Sequence, residues 1–140
     1  MDSTQYTRDT LAEVLRRHGI NPTHQRIEIA HALFSRHEHL SADQVLALVN
    51  EGHPETSRAT VYNTLNLFVE KGLIREVIVD PNRVFYDPNT TAHYHLYDVR
   101  TGRLTDIDAG GIQVSGLPLL PDGVVAEGMD IILRVRSAGD

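Results

Sequence analysis

The sequence predicts an α+β protein, because four stretches with helical periodicity are followed by stretches that alternate with a period of two. The chain has 140 residues, which is enough for one or two small domains. A hydrophobic content of 41% is sufficient for a buried core. Lobes of roughly 80 and 60 residues would each be marginal alone, so we expect association with a second copy.

Each of the four expected helices has its own capping signal. Apolar spacing predicts a first helix over residues 7–18. Thr23 is placed to cap a second helix, and Ser57 is placed to cap a fourth. Ser41 followed by Gln44 is a capping-box pattern that opens a third. The positions expected to face the core are Leu11, Val14, Leu15, Ile27, Ala30, Leu33, Phe34, Val45, Leu46, Leu48, Val49, Val61, Leu65 and Phe68.

A β-hairpin is expected directly after the helices. Residues 73–79 and 83–86 are rich in β-formers and flank the turn sequence Asp80-Pro81-Asn82. Helices followed by a hairpin form a winged helix-turn-helix arrangement. The next segment is rich in turn residues. We therefore predict a winged-helix domain over residues 1–86, a hinge over 87–92 and a dimerisation domain over 93–140.

The remaining residues predict a small α/β or β-rich domain. Residues 93–98 and 103–107 form a second expected hairpin around Thr101-Gly102. Residues 126–136 alternate apolar and polar side chains and predict a last strand. Glycine and proline interrupt the segment between these elements.

Composition excludes several classes of site. The chain has no Cys, which excludes disulfides, thiolate zinc sites and cysteine nucleophiles. We find no signal-peptide pattern and no apolar run near ~18 residues, so we expect a cytoplasmic protein without a membrane contact. Residues 1–80 hold 8 Lys and Arg against 11 Asp and Glu, so any DNA contact must come from local basic clusters.

The fourth helix has the side chains of a DNA-reading helix. If its apolar residues face the core, the opposite side shows Tyr62, Asn63 and Asn66, with Arg58 near its start. Asn pairs with adenine, Arg binds guanine or phosphate, and Tyr contacts phosphate or the thymine methyl. An ordinary amphipathic helix would show the same pattern. The predicted DNA-contacting residues are Arg26, Arg58, Thr60, Tyr62, Asn63 and Asn66.

Two groups of metal donors flank the predicted joint. One group surrounds His39; the other comprises Asp87, His93, His95 and Asp106. His93 and His95 are two apart on an expected strand, so both point the same way. Imidazole and carboxylate donors suit Fe(II), Mn(II) or Zn(II). A metal held from both lobes would fix the angle between them, whereas the alternative is a set of solvent-exposed histidines.

The motifs resemble the ferric uptake regulator family over about Leu11 to Val135. The most specific match is Ser57-Arg58-Ala59-Thr60-Val61-Tyr62-Asn63-Thr64-Leu65, followed by the hairpin and His93-Tyr94-His95. The segment Tyr62-Asn63-Thr64-Leu65-Asn66 is most similar to the branch of iron response regulators (Irr). The resemblance implies a homodimer with a hinge metal site, whose matching positions are His39, Asp87, His93, His95 and Asp106.

Two departures from the family pattern carry expectations of their own. Members with a structural zinc have Cys-x-x-Cys before the hairpin glycine, where this chain has Asp98 and Thr101. We therefore expect no structural zinc held by four cysteines. Residues 108–123 are broken by Gly and Pro where many relatives have a helix. A further family metal site would use the positions of Gln113 and Met129, so we predict that it is absent.

The resulting hypothesis is a metal-responsive transcriptional regulator of iron homeostasis that binds a palindromic double-stranded DNA operator and is not an enzyme. Resemblance to the iron response regulators also implies haem, with His93 or His95 as axial ligand. A peroxide-sensing repressor of the same family is the first alternative. From other classes, the donors could belong to a small metalloenzyme or to a metal-binding module that does not touch DNA.

Overall fold

The computed structural model describes residues 6–36, 38–52, 56–90, 94–126, 128–136 and 138. The chain divides into two compact units between residues 90 and 91, which we call the N-terminal unit and the C-terminal unit. This division falls inside the segment 87–92. The assignment of that segment as a hinge stays a prediction.

Four α-helices and a β-hairpin make up the N-terminal unit. The predicted caps are present: the Thr23 side chain accepts the N–H of Arg26, and the Ser57 side chain accepts the N–H of Thr60. Ser41 and Gln44 form the reciprocal bonds of a capping box. The elements are α1 (Arg8–Arg17), α2 (His24–Phe34), α3 (Ala42–Gly52), α4 (Arg58–Glu70), β1 (Arg75–Asp80) and β2 (Arg83–Asp87).

The helices share one hydrophobic core. Most of the positions predicted to face inward are buried, including Leu11, Leu33 and Leu65. Ile27 is only partly buried, whereas Ile29, which the helical spacing did not single out, is fully buried. Burial of these side chains stabilises α1–α4 more than helix propensity does, because short helices are marginal by themselves.

The hairpin is joined to the segment that precedes α3. β1 and β2 pair antiparallel, and the turn is held by the N–H of Asn82, which donates to Asp80 Oδ1 at 2.9 Å. The N–H of Tyr86 donates to the carbonyl oxygen of Leu40 at 2.8 Å, which forms an antiparallel bridge between these two residues. This bridge fixes the chain on either side of Leu40 against the end of β2.

The C-terminal unit is β-rich in the residues that are described. Its strands are β3 (Tyr94–Asp98), β4 (Leu104–Ile107) and β5 (Ile132–Val135), in the order β4-β3-β5. β3 pairs antiparallel with β4 and parallel with β5. The predicted α+β fold, a winged helix-turn-helix followed by a small β-rich domain, is therefore confirmed.

The last strand is shorter than the sequence predicts. β5 spans four residues rather than 126–136. Leu133 is 52% exposed and Met129 is 44% exposed, so the alternating apolar side chains have no covering layer in a single chain. Between residues 108 and 131 the described part of the chain has one 3-10 turn (Ala109–Gly111) and no α-helix, as the Gly and Pro residues predict.

None of the described helices is long and apolar enough to cross a membrane.

Candidate metal centre and nucleic-acid interface

The N-terminal unit contains a buried histidine beside a buried carboxylate. His39 precedes Leu40 and Asp87 follows Tyr86, so the antiparallel bridge between Leu40 and Tyr86 brings His39 next to Asp87. His39 Nε2 lies 3.4 Å from Asp87 Oδ2, with side-chain exposures of 4% and 0%. This pair offers one imidazole from the segment before α3 and one carboxylate from the end of β2.

Two further groups hold the Asp87 carboxylate. The N–H of Asn89 donates to Oδ1 at 2.8 Å, and Arg75 Nε lies 4.0 Å from Oδ2. Arg75 is also the cross-strand partner of Asp87 in the hairpin. A buried carboxylate needs such compensation, because the loss of its hydration is costly. Sequence reasoning missed Arg75, although its register across the hairpin from Asp87 could have indicated it.

The C-terminal unit contains a second pair of the same kind. His95 on β3 and Asp106 on β4 are direct cross-strand partners. His95 Nε2 lies 3.7 Å from Asp106 Oδ1; the imidazole is fully buried and the carboxylate is 38% exposed. Among the other predicted donors, His93 lies outside the described residues, as does His37 of the group around His39.

The donor chemistry of these pairs fits a transition metal. Each pair combines an imidazole nitrogen with a carboxylate oxygen, the ligand set that suits Fe(II), Mn(II) and Zn(II). Neither pair contains a thiolate, because the chain has no cysteine.

The predicted DNA-contacting residues of α4 are exposed along one side of the helix. Arg58, Tyr62, Asn63 and Asn66 are exposed, whereas the neighbouring Val61 is buried in the core. This is the arrangement that the helical period of α4 predicts.

The two remaining predicted DNA contacts, Thr60 and Arg26, make hydrogen bonds within the N-terminal unit. The hydroxyl groups of Thr60 and Ser57 are 2.9 Å apart at the start of α4. The Arg26 guanidinium donates to the carbonyl oxygen of Asn21 at 3.0 Å. Arg26 and Asn63 nevertheless line the same surface groove, between the start of α2 and α4.

Arg58 is held by a carboxylate on the preceding helix. Its guanidinium pairs with Asp43, and both side chains are largely exposed. The hydrogen bond to Asp43 and the charge of Asp43 raise the pKa of Arg58, with a smaller contribution from a hydrogen bond to Tyr62. No sequence pattern indicated this pairing, because the two residues are far apart along the chain.

Comparison with known proteins identifies the family. The model of the ferric uptake regulator family matches residues 17–117. The chain is 31% identical over 106 residues to the peroxide-responsive repressor PerR of Staphylococcus aureus strain Mu50, covering 76% of this chain and 72% of that protein. The chain belongs to the ferric uptake regulator family.

Solved structures of ferric uptake regulator proteins have the same fold. A zinc-bound manganese uptake regulator matches with a TM-score of 0.70 and 22% identity, over 91% of this chain and 98% of that chain. The ferric uptake regulator of Pseudomonas aeruginosa with manganese matches with a TM-score of 0.65 and 24% identity, over 90% of this chain and 96% of that chain.

Membership in the ferric uptake regulator family confirms the coarse functional prediction. Regulators of this family respond to metals, bind DNA and are dimers. The chain is therefore a metal-responsive transcription regulator and not an enzyme. The residues that bind the metal and the DNA in this chain stay predictions.

Proposed function

We propose that this chain is a homodimeric, cytoplasmic regulator of iron homeostasis, similar to the iron response regulators, whose affinity for a palindromic operator depends on one divalent metal ion. His39, Asp87, His95 and Asp106 would bind that ion, with His93 as a fifth donor. The observation that carries the proposal is the presence of a buried imidazole beside a carboxylate in each unit. Fe(II), Mn(II) and Zn(II) all suit these donors.

A shared ion would link the two units. The difference in metal-binding free energy between two arrangements of the units sets how far metal binding shifts the equilibrium between them. Each 1.4 kcal/mol of that difference changes the ratio of the two arrangements about tenfold. The residues of the chain contribute the donors and their orientation. The N–H of Asn89 donates to Asp87 Oδ1, whereas Oδ2 lies nearer to His39 and also to Arg75, with which a cation bound at Oδ2 would compete.

Substitution of the exposed donor tests this proposal with the least risk to folding. Asp106→Asn should weaken Mn(II) binding by at least about 10-fold, because even outer-shell partners of a metal contribute about 10–100-fold. Asp108→Asn is the matched control, since Asp108 lies two residues away and also in the C-terminal unit. Metal affinity is measured by calorimetry, and operator binding by fluorescence anisotropy with and without Mn(II).

The two measurements separate the parts of the proposal. Weaker metal binding together with weaker Mn(II)-dependent operator binding in Asp106→Asn, but not in Asp108→Asn, supports it. Metal affinity that is unchanged in Asp106→Asn and in His95→Ala would remove both residues from the site. Equal operator affinity with and without Mn(II) would contradict the proposed dependence of DNA binding on the metal.

Haem is a weaker candidate effector for this chain. The resemblance to iron response regulators implies His93 or His95 as axial ligand, but His95 is fully buried. A haem plane needs an open face beside its ligand, so His95 would have to become exposed first. A Soret band that is lost in His93→Ala would support haem, and its absence after reconstitution with hemin would contradict it.

A peroxide sensor is the second candidate function, and the similarity to the peroxide-responsive repressor favours it. Fe(II), when bound, supplies the capacity to activate peroxide. Histidines that bind such iron are the expected targets of oxidation. Mass spectrometry of the Fe(II)-loaded protein after peroxide treatment should then find one added oxygen atom on His39 or His93; unmodified histidines in a protein that has lost operator binding would contradict this function.

A further inference from the structure

Arg75 brings a positive charge to the carboxylate of the candidate metal centre in the N-terminal unit. It is the first residue of β1 and the direct cross-strand partner of Asp87, the last residue of β2. Its Nε lies 4.0 Å from Asp87 Oδ2, and His39 Nε2 lies 3.4 Å from the same oxygen. Two side chains therefore approach one carboxylate oxygen, and the arginine is the one that is always charged.

The Asp87 carboxylate needs a positive partner whether or not a metal ion is bound. It is fully buried, and burial of an ionised carboxylate is costly without compensation. The N–H of Asn89 donates to Oδ1 at 2.8 Å, which supplies part of that compensation but no full charge. In the metal-free protein, the guanidinium of Arg75 supplies a permanent positive charge beside Oδ2.

The same guanidinium opposes the binding of a divalent cation. Like charges a few ångströms apart repel each other strongly where water is partly excluded. Without the Arg75 charge, the metal-free protein would hold a buried carboxylate with less compensation, and the metal-bound protein would lose a repulsion. Both changes favour the metal-bound protein. The Arg75 side chain is 30% exposed, so its guanidinium has access to solvent when a cation takes its place.

We propose that Arg75 is an internal substitute for the metal ion: it stabilises the Asp87 carboxylate in the metal-free protein and lowers the affinity of the site for metal. This inference rests on the proposed function, because it takes Asp87 as a metal ligand. Arg75 itself is a positioning residue and not a ligand, since a guanidinium offers no acceptor atom. The metal concentration to which the regulator responds then depends on a residue that does not bind the ion.

Calorimetric titration of the full-length protein with Mn(II) tests the effect on affinity. Arg75→Met keeps much of the aliphatic side chain but removes the charge, so the dissociation constant should fall about tenfold, or about 1.4 kcal/mol. Arg75→Lys keeps the charge and should stay close to the parent value. Arg83→Met is the matched control, because it removes an arginine from the other end of β2, about 13 Å from Asp87 along the strand. Its affinity should be unchanged.

Urea denaturation in the presence of a chelator tests the pairing of Arg75 with Asp87 without any metal. Arg75→Met should lower the denaturation midpoint of the parent more than that of the Asp87→Asn background, because a neutral amide needs no counter-ion. Saturating Mn(II) should return the midpoint of Arg75→Met toward that of the metal-bound parent. If Arg75→Met does not fold without metal, the double variant Arg75→Met/Asp87→Asn should fold, since it has no buried charge to compensate.

The two measurements separate this inference from the proposed function. A parent protein that binds no Mn(II) would contradict the metal site, and with it the effect of Arg75 on metal affinity. Where the parent binds Mn(II), an affinity that is unchanged or weaker in Arg75→Met would overturn the inference alone. Equal tightening by Arg83→Met would also overturn it. So would an equal loss of stability from Arg75→Met in the parent and in the Asp87→Asn background.

Discussion

Single residues of this regulator are held by partners that are distant in sequence. Arg75 stands across the hairpin from Asp87, with its Nε 4.0 Å from the buried carboxylate. Asp43 on α3 holds Arg58 at the start of α4. In both cases a charged side chain that we expect to bind a ligand already lies beside a side chain of opposite charge. A metal ion at Asp87 and a DNA phosphate at Arg58 must therefore compete with an internal ion pair.

The pairing of Asp43 with Arg58 should restrain DNA binding. Asp43→Asn frees the guanidinium for a phosphate, so we expect affinity for non-specific DNA at low salt to rise about twofold to fivefold. The salt dependence should steepen by up to about 0.9 in the slope of log affinity against log salt. Fluorescence anisotropy over a salt series measures both quantities.

Glu70→Gln is the matched control for this substitution, because it removes one negative charge from the other end of α4. If Asp43→Asn and Glu70→Gln strengthen DNA binding equally, only net charge matters. In that case Arg58 is not released by the loss of Asp43.

At the scale of elements, side-chain hydrogen bonds fix the ends of helices and turns. The Ser57 hydroxyl caps α4, and the Asp98 carboxylate orders the turn between β3 and β4. Asp98 Oδ1 accepts the N–H of Arg100 at 2.8 Å and that of Thr101 at 3.2 Å. A carboxylate and two backbone N–H groups therefore order this turn.

The cap of α4 should contribute measurably to stability. Ser57→Ala removes the acceptor for the Thr60 N–H, so we expect a loss of about 1 kcal/mol in the free energy of unfolding. Ser35→Ala is the control, because the buried Ser35 hydroxyl has no hydrogen-bond partner among the described residues. Urea denaturation followed by circular dichroism distinguishes the two variants. Equal effects would mean that the cap does not stabilise α4.

The turn held by Asp98 should make stability depend on pH. The N–H groups of Arg100 and Thr101 lower the pKa of Asp98. The carboxylate therefore stabilises the folded protein above its unfolded pKa of about 3.9, and this contribution is lost as pH falls through the lowered folded value. Asp98→Ala should reduce the melting temperature near neutral pH, and the difference from the parent should shrink as pH falls below about 4.

Asp122→Ala serves as the control, because Asp122 is exposed and makes no hydrogen bond among the residues described. Its melting temperature should follow that of the parent protein at every pH. If the difference in melting temperature between Asp98→Ala and the parent protein stays constant down to strongly acidic pH, the carboxylate charge is not the source of the stabilisation.

At the scale of the whole molecule, the exposed apolar side chains of the C-terminal unit indicate association with a second copy of the chain. Ferric uptake regulators are dimers, and several large apolar side chains of the C-terminal unit are exposed in the single chain. Leu119 is 99% exposed, Val125 is 84% exposed and Leu117 is 66% exposed. A group of exposed apolar residues of this kind indicates an interaction surface. The chain has no cysteine to hold a structural zinc, so we expect the burial of these side chains to stabilise the dimer.

A charge in this apolar segment should separate the dimer. Leu119→Glu places a carboxylate among side chains that we expect the second copy to cover, so the dissociation constant should rise by at least about tenfold. Sedimentation velocity over a concentration series measures it. Ile78→Glu is the control, because Ile78 is 60% exposed but lies on β1 in the N-terminal unit. An unchanged dimer in Leu119→Glu would place the interface elsewhere.

The sequence alone determined the local structure of this protein. Capping residues and hydrophobic periods act within a few positions of the chain, so the four helices, both hairpins and the exposed side of α4 could all be predicted. The absence of cysteine excluded a thiolate zinc site. The end of the chain was predicted less well, because the length of β5 depends on what covers its apolar side chains.

Only the tertiary structure decided which groups meet. His39 lies beside Asp87 because Leu40 pairs with Tyr86, a contact between residues that no local pattern connects. The partners of Arg58 and Asp87 follow in the same way from the packing of α3 against α4 and from the register of the hairpin. Long-range pairing depends on the whole pattern of burial, which a local pattern cannot specify.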